Sequence, residues 1–174
     1  FLDKRRGEVK AVDNISFECH PGEIFGLLGP NGAGKTTTLR ILSTVLQPTG
    51  GKAEIAGHDV RKEPEWVRHK IGFLSGNTGI YGKLTPSEMV DYFGALHGMK
   101  QNEIDLQKKK IFEMFEMQSF TDTLNSKLSS GMKQKVSIAR TIIHNPPVLI
   151  FDEPTVSLDI LVARTVTDFI ARCR

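Results

Sequence analysis

The stretch that decides the fold is a glycine-rich octapeptide, Gly29-Pro30-Asn31-Gly32-Ala33-Gly34-Lys35-Thr36. It matches G-x-x-x-x-G-K-[ST] at every fixed position, a pattern typical of loops that hold nucleotide phosphates. The apolar run 24–28 before it indicates a buried strand, and residues 37–46 after it have the apolar spacing of a helix. The sequence therefore predicts a strand, a phosphate-binding loop and a helix in this order, rather than a glycine-rich turn before an ordinary helix.

The residue types of this loop fit that chemistry. Glycines let the backbone approach phosphate oxygens, so that successive N–H groups and the N-terminus of the next helix face the anion. We expect Lys35 to reach the β- and γ-phosphates and the Thr36 hydroxyl to complete the coordination of a Mg²⁺ ion. Thr37 joins the loop in the predicted nucleotide-binding set.

Composition describes one domain of α/β size. The chain has 174 residues, 39% of them hydrophobic and 25% charged, with a net charge of +3. Basic residues are scattered, so no nucleic-acid partner is expected, and the one basic run, 108–110, predicts a solvated helix face. Cys19 and Cys173 fit neither a metal site nor a disulfide framework. No apolar run is long enough to span a bilayer, so any membrane role is expected to depend on a partner.

Further strands are predicted on both sides of the octapeptide. Residues 14–20 alternate apolar and polar side chains, as in a strand with one buried face, and 52–56 suit a short strand. Residues 71–74 form a short apolar run typical of a buried strand. The loop 75–79 would then lie at the carboxyl end of that strand, where parallel sheets meet their ligands.

Two helical regions follow. The sequence Thr85-Pro86-Ser87-Glu88 predicts a capping box, and 103–117 predicts a helix with a buried stripe of Ile104, Ile111 and Phe115. Ser129 and Gly131 then stand at the start of a strongly amphipathic helix that stops at 145–147. A helix N-terminus of this composition is a second possible anion site.

A pair of carboxylates follows the apolar run 148–151. Asp152 and Glu153 would lie at the sheet edge near the phosphate loop, where adjacent carboxylates are costly without a cation. We predict that Asp152 holds the water shell of Mg²⁺ and that Glu153 accepts a proton from, or orients, the water that attacks the γ-phosphate. The alternative is a helix-capping or salt-bridged acidic pair. Asp159 fits a simple helix N-cap as well as it fits a functional role.

Taken together, these motifs resemble those of ABC-type ATPases in order and spacing, and the chain looks like the nucleotide-binding subunit of an ABC transporter. The stretches 130–134 and 72–78 look most like the bacterial drug-, sodium- and polysaccharide-export branch. The resemblance implies an α/β fold: a P-loop NTPase core with a mainly parallel sheet, an N-terminal antiparallel β portion and a helical insertion. It implies a single domain over 1–174, C-terminally truncated, with a core of about 1–76 and 130–174 and a helical subdomain of about 77–129.

The resemblance also implies partners. Two nucleotide-binding subunits, identical or different, would sandwich two ATP molecules head to tail, with Ser129 and Gly131 contacting the γ-phosphate held by the partner's Lys35. Lys35 and Glu153 would be the catalytic residues. A membrane-spanning permease would hold the subunit at the cytoplasmic face of a bacterial or archaeal cell membrane, and the helical insertion would drive it.

Several positions depart from the family pattern. Ser130 and Met132 replace a Gly and a Gln of the signature, which the helix N-terminus tolerates. Gly76 replaces the glutamine that meets Mg²⁺, and Asn77 either substitutes for it or is an ordinary loop residue.

Two further functional residues of the family would lie at or beyond the ends of this sequence. Phe1 is the available aromatic platform for adenine. The family's switch histidine would lie beyond Arg174, so residues 1–174 alone are expected to bind MgATP weakly and to hydrolyse it negligibly.

The leading functional prediction is an ATP-hydrolysing motor subunit of an export transporter. A soluble ABC-family ATPase in translation or DNA maintenance is the alternative, but such proteins usually carry two cassettes or a long coiled coil, and no heptads separate Lys35 from Asp152. An ATP-gated module with little turnover is a third possibility, suggested by Gly76.

Overall fold

The structure is a computed structural model that describes residues 10–75, 79–155 and 160–173. The helices are α1 (Lys35–Leu42), α2 (Pro64–Lys70), α3 (Pro86–Leu96), α4 (Gln101–Met114), α5 (Ser130–Ile142) and α6 (Ile160–Arg172). The strands are β1 (Glu54–Ile55), β2 (His58–Asp59), β3 (Ile71–Ser75) and β4 (Val148–Asp152), and single 3-10 turns occupy Gln118–Phe120 and Asn125–Lys127.

The central feature is a parallel strand pair. β3 and β4 run side by side with Ile71 opposite Val148 and Ser75 opposite Asp152, so both carboxyl ends reach the same edge. The three helices α3 to α5 form the connection between them, as a parallel pair requires a long crossover. β1 and β2 form a separate antiparallel pair. The predicted α/β fold with parallel and antiparallel portions is confirmed.

Each face of the parallel pair covers a different apolar cluster, because successive side chains of a strand point to opposite faces. Ile71 and Ile150 belong to a smaller cluster with Val60 and Val67. Leu74 belongs to a larger cluster formed mainly by α3 to α6. Its buried members include Met89, Val90, Ile111, Phe115, Val136, Ile138, Val166 and Phe169.

The helical prediction is largely confirmed. The Thr85 side chain accepts a hydrogen bond from the Glu88 backbone N–H. The Glu88 carboxylate accepts one from the Thr85 backbone N–H, which completes the capping box. Ile104, Ile111 and Phe115 are all buried. The larger cluster contains side chains from both 77–129 and 130–174, and the division of the chain into core and helical subdomain stays a prediction.

The basic run 108–110 is not uniformly solvated. The Lys108 ammonium lies 2.6 Å from Asp91 and 3.1 Å from the Ser87 hydroxyl, and its side chain is 17% exposed. Because Asp91 and Ser87 belong to α3 and Lys108 to α4, the ammonium joins the two helices. The prediction of a solvated face is wrong for Lys108 because a partner far along the chain compensates its charge.

The two strands predicted before the phosphate loop are wrong. Residues 14–20 and 24–28 form no strand; Leu28 is 96% exposed, and the rings of Phe17 and Phe25 stack on each other at 4.8 Å. The segment turns back on itself, with the Glu23 N–H donating to the His20 carbonyl. A strand needs a hydrogen-bonded neighbour, and the described residues contain no partner for this segment: their sheets are the pairs β1–β2 and β3–β4.

The helix after the phosphate loop is shorter than predicted. α1 ends at Leu42 rather than near Leu46, because Thr44 takes a φ of 62° and the N–H groups of Val45 and Leu46 both turn back to the Arg40 carbonyl. None of the helices in the described ranges is both long and apolar enough to span a bilayer.

Candidate functional site

The phosphate loop is shaped by its glycines. Gly34 caps α1 with a φ of 86°, and Gly32 has a φ of 83°. A Cβ atom on Gly34 would collide with the Ala11 carbonyl oxygen, so this position requires glycine for space as well as for backbone conformation. The Thr38 N–H donates to the Gly34 carbonyl at 2.8 Å, so α1 is regular from its first turn. The loop therefore leads directly into the N-terminus of α1, and a helix N-terminus is a favourable place for an anion.

Lys35 is folded back over its own loop. Its ammonium donates to the carbonyl oxygens of Gly29 at 2.8 Å and of Pro30 at 2.9 Å. Both acceptors are neutral, whereas a phosphate oxygen is negatively charged and therefore binds the ammonium more strongly. Lys35 is thus positioned over the loop and can exchange these carbonyls for an anionic ligand.

Thr36 connects the loop to the strand pair. Its hydroxyl donates to Oδ1 of Asp152 at 3.0 Å, and Asp152 is buried with 9% of its surface exposed. A carboxylate and a hydroxyl side by side form a pair of hard oxygen donors, which suits Mg²⁺ because this ion takes one or two protein oxygens and keeps several waters. Within the described ranges no three His, Cys, Asp or Glu side chains gather as a metal cluster.

Glu153 follows directly and is exposed. β4 ends at Asp152. Glu153 takes a φ of 53°, a left-handed backbone conformation that residues other than glycine rarely adopt. The structure thus separates the two carboxylates. Asp152 is turned inward to Thr36, and Glu153 is left open toward solvent.

The helix N-terminus predicted at Ser129 is present, and its role as an anion site stays a prediction. Ser129 is the N-cap of α5, and its hydroxyl accepts a hydrogen bond from the Met132 N–H at 3.2 Å. Ser129 is exposed while Gly131 is buried. The first turn of α5 therefore presents its N-terminus to solvent, where another molecule can reach it.

Three of the predicted positions lie outside the described residues. These are Phe1, Asn77 and Asp159. The predicted roles of Phe1 in adenine stacking and of Asn77 in metal binding remain predictions.

The sequence analysis missed a cluster of three histidines. His97, after α3, stacks on His144 with ring centroids 3.5 Å apart, and His69 of α2 meets His97 edge to face. His144 Nε2 donates to the Ile71 carbonyl at 3.0 Å, which leaves Nδ1 buried without a hydrogen-bond partner. Burial, followed by the charge of His97, lowers the pKa of His144 from 6.5 to about 4. No sequence spacing links these residues, because three separate elements bring them together.

Two further side chains went unnoticed in the sequence, both on α5. Gln134 donates to the Pro154 carbonyl at 2.8 Å, and Arg140 donates to the Gly79 carbonyl at 3.1 Å. Arg140 is buried, which lowers its pKa, and its guanidinium lies 5.1 Å from the Phe93 ring centroid. Gln134 and Arg140 thus connect α5 to the segments that follow β4 and β3.

Comparison with known proteins gives a consistent family. A family model described as ABC transporter matches residues 12–156. The ABC transporter ATP-binding protein NatA of Bacillus subtilis (strain 168) is 40% identical over 175 residues, covering all of this chain and 71% of NatA. The bacitracin transport ATP-binding protein BcrA of Bacillus licheniformis is 40% identical over 159 residues, 91% of this chain and 51% of BcrA.

A third relative is the daunorubicin resistance ATP-binding protein DrrA3 of Streptomyces coeruleorubidus, 36% identical over 90% of this chain and 50% of its own length. Solved structures agree. The dimeric ABC transporter cassette MJ0796 superposes with a TM-score of 0.83 at 28% identity, over 92% of this chain and 73% of that one. A dimeric post-hydrolysis state of MJ0796 bound to ADP and Pi gives a TM-score of 0.82.

Proposed function

The chain belongs to the ABC transporter family as an ATP-binding, ATP-hydrolysing domain, and on this premise we propose that it powers an exporter through ATP-dependent dimerisation. The observation that carries the proposal is the bond from Thr36 to Asp152, which unites the phosphate loop and the end of β4 in one site. The other parts of the site follow from this arrangement.

The proposed roles follow from local geometry. Lys35 leaves the carbonyls of Gly29 and Pro30 and binds the terminal phosphates, while backbone N–H groups of the non-proline residues in 29–37 bind the remaining phosphate oxygens. Thr36 and Asp152 hold Mg²⁺, which when bound offsets part of the phosphate charge. Glu153, exposed and free of the Thr36 contact, orients the attacking water and accepts its proton.

The proposed dimer uses the second anion site. Ser129 and Gly131 at the start of α5 meet the γ-phosphate bound by the partner's Lys35, so a closed pair is favoured while that phosphate bridges the two subunits. Hydrolysis removes the bridge and lets the pair open. The dimeric state of the solved cassettes supports this arrangement.

The transport direction and setting are proposed from the relatives. Proteins named for daunorubicin resistance and bacitracin transport support an export role. We place the subunit at the cytoplasmic face of a bacterial or archaeal membrane, held by a membrane-spanning permease that the region 77–129 drives. The scattering of basic residues along the sequence supports the absence of a nucleic-acid partner.

The testing experiment uses Glu153→Gln in the complete protein. The substitution keeps the size of the side chain but removes the base, so MgATP should bind normally, turnover should fall to background and a dimer should accumulate. Light scattering coupled to size exclusion, with ATP and with ADP, measures this. Asp168→Asn, on the exposed side of α6, is the matched control and should leave the wild-type behaviour unchanged.

Two results would contradict the proposal. One is a Glu153→Gln protein that remains monomeric with MgATP although it binds the nucleotide. The other is a variant that retains wild-type turnover, which would remove Glu153 from the proton-accepting role.

A further inference from the structure

The helix α5 is joined to the segment that carries Glu153. The Gln134 side chain donates through Nε2 to the Pro154 carbonyl at 2.8 Å, although 20 positions separate the two residues. Pro154 directly follows Glu153, and Gln134 lies in the second turn of α5, close to the Ser129 cap. One short helical segment thus connects the exposed anion site at Ser129 with the exposed carboxylate at Glu153.

The backbone of Glu153 needs such a support. Its φ of 53° lies in a region that a non-glycine residue keeps only when the surroundings hold it there. The sheet ladder does not hold it, because β4 ends one residue earlier. Pro154 has no N–H group, so its carbonyl is the one backbone group through which it can form a hydrogen bond. The Gln134 amide binds that carbonyl.

α5 itself is fixed by its packing, so it can hold the segment after β4 in place. Val136, Ile138 and Ala139 are fully buried. At its far end Arg140 donates to the Gly79 carbonyl, beyond the carboxyl end of β3. The helix therefore contacts the segments that follow both parallel strands, and Pro154 is held against a helix that its packing fixes in place.

We propose that Gln134 is a positioning residue that sets the orientation of Glu153 in its own subunit. The proposal rests on the proposed function, since it concerns the same base. The proposal adds a link between the two nucleotide sites of a dimer. Ser129, at the start of α5, contacts the nucleotide of the partner. Gln134, one turn later, positions Glu153, the base that serves the subunit's own nucleotide. α5 thus connects the nucleotide bound by the partner with the base of its own subunit.

The first test compares Gln134→Met with Lys135→Met in the complete protein. Methionine has nearly the length of glutamine but lacks the amide donor, and the Lys135 side chain, on the same helix, has no hydrogen bond among the described residues. Gln134→Met should lower kcat by about tenfold and leave the KM for ATP within about twofold, since small displacements of a catalytic group act on kcat. Lys135→Met should behave as wild type. An unchanged kcat for Gln134→Met would overturn the proposal.

The second test separates positioning from a general disturbance of α5. In a mixed dimer of one subunit with Glu153 and one with Glu153→Gln, the single working site uses the base of the first subunit and Ser129 of the second. Gln134→Met in the first subunit should lower the rate by about tenfold. In the second subunit it should leave the rate of the parent mixed dimer unchanged.

The opposite pattern, with loss only when the substitution is in the second subunit, would show that Gln134 acts through the N-terminus of α5 and would overturn the proposal. Loss in both placements would do the same. A parent mixed dimer without any ATP-dependent assembly or turnover would instead contradict the proposed function itself, so the two failures are distinguishable.

Discussion

The Thr36 hydroxyl donates to Oδ1 of Asp152 at 3.0 Å across 116 positions of the chain. Thr36 lies in the first turn of α1 and Asp152 at the last residue of β4, so this bond joins the phosphate loop to the parallel pair. A hydroxyl and a carboxylate at this distance are the pair of oxygens that we propose for Mg²⁺.

We expect Thr36→Val to weaken MgATP binding by about tenfold or more, because a bond involving a charged group contributes roughly 1.5 to 3 kcal/mol. Valine keeps the shape of threonine and removes the oxygen. Isothermal titration with MgATP, and with ATP in excess chelator, measures the effect, which should be much smaller without the ion. Thr167→Val on the exposed face of α6 is the control. An equal loss with and without Mg²⁺ would argue against a metal role.

Lys35→Met should raise the Kd for ATP by at least tenfold, because the variant loses a charge-assisted bond to the terminal phosphates. The protein should remain folded, since the bonds lost in the free state are to two carbonyls on an exposed loop. Fluorescent-nucleotide titration gives the Kd and circular dichroism checks the fold. Lys52→Met removes an equally positive side chain, one that pairs with Glu54 at the surface, and should bind as wild type. Unchanged affinity in Lys35→Met would exclude Lys35 from the phosphate site.

Ser129→Arg should abolish hydrolysis and ATP-dependent dimerisation while the monomer keeps its affinity for ATP within about twofold, because Ser129 is proposed to serve the nucleotide of the partner. The residue is exposed, so the larger side chain does not disturb the core. Titration at low protein concentration and size analysis with ATP measure the two properties. Ser126→Arg, also exposed and before α5, is the comparison. A monomer that no longer binds ATP would show that Ser129 acts within its own subunit.

The free energy of unfolding should fall as the pH drops from 6.5 toward 4. His144 is neutral in the folded protein, because burial and the neighbouring His97 lower its pKa from 6.5 to about 4. The unfolded chain therefore binds an extra proton in this window, and stability that is complete above pH 6.5 decreases by up to about 3 kcal/mol.

His144→Gln should flatten this dependence, since glutamine does not titrate and its amide can replace the Nε2 bond to the Ile71 carbonyl. Urea unfolding at several pH values between 4 and 7.5 measures it. His20→Gln, at an exposed histidine, is the control. Identical slopes for His144→Gln and wild type would contradict the assignment.

Gly72→Ala should destabilise the protein by about 1 to 3 kcal/mol, the usual cost of overpacking. A Cβ atom there would lie 2.7 Å from the Thr141 carbonyl oxygen and 2.8 Å from a methyl group of Leu149, so β3 or α5 would have to move. Gly50→Ala, whose Cβ atom would meet nothing within 4 Å, is the control. Thermal unfolding compares the two, and equal melting temperatures would show that the contact relaxes freely.

The sequence by itself determined the parts of the molecule that depend on neighbouring residues. Local sequence signals mark four such parts: the phosphate loop, the strand at Ile71, the capping box at Thr85 and the strand ending at Asp152. These signals are local because backbone conformation, capping and strand alternation act over a few positions. The same motifs indicated the family that the comparisons establish.

Only the tertiary structure decided which distant groups meet. The segments 14–20 and 24–28 have strand-like patterns but no sheet partner among the described residues. Lys108 turns inward to Asp91, and Gln134 contacts Pro154. Three histidines from separate elements also come together. None of these contacts has a periodic signal, because hydrogen bonds and charge pairs between distant positions depend on how helices and strands pack, and that packing follows from the apolar clusters of the whole chain.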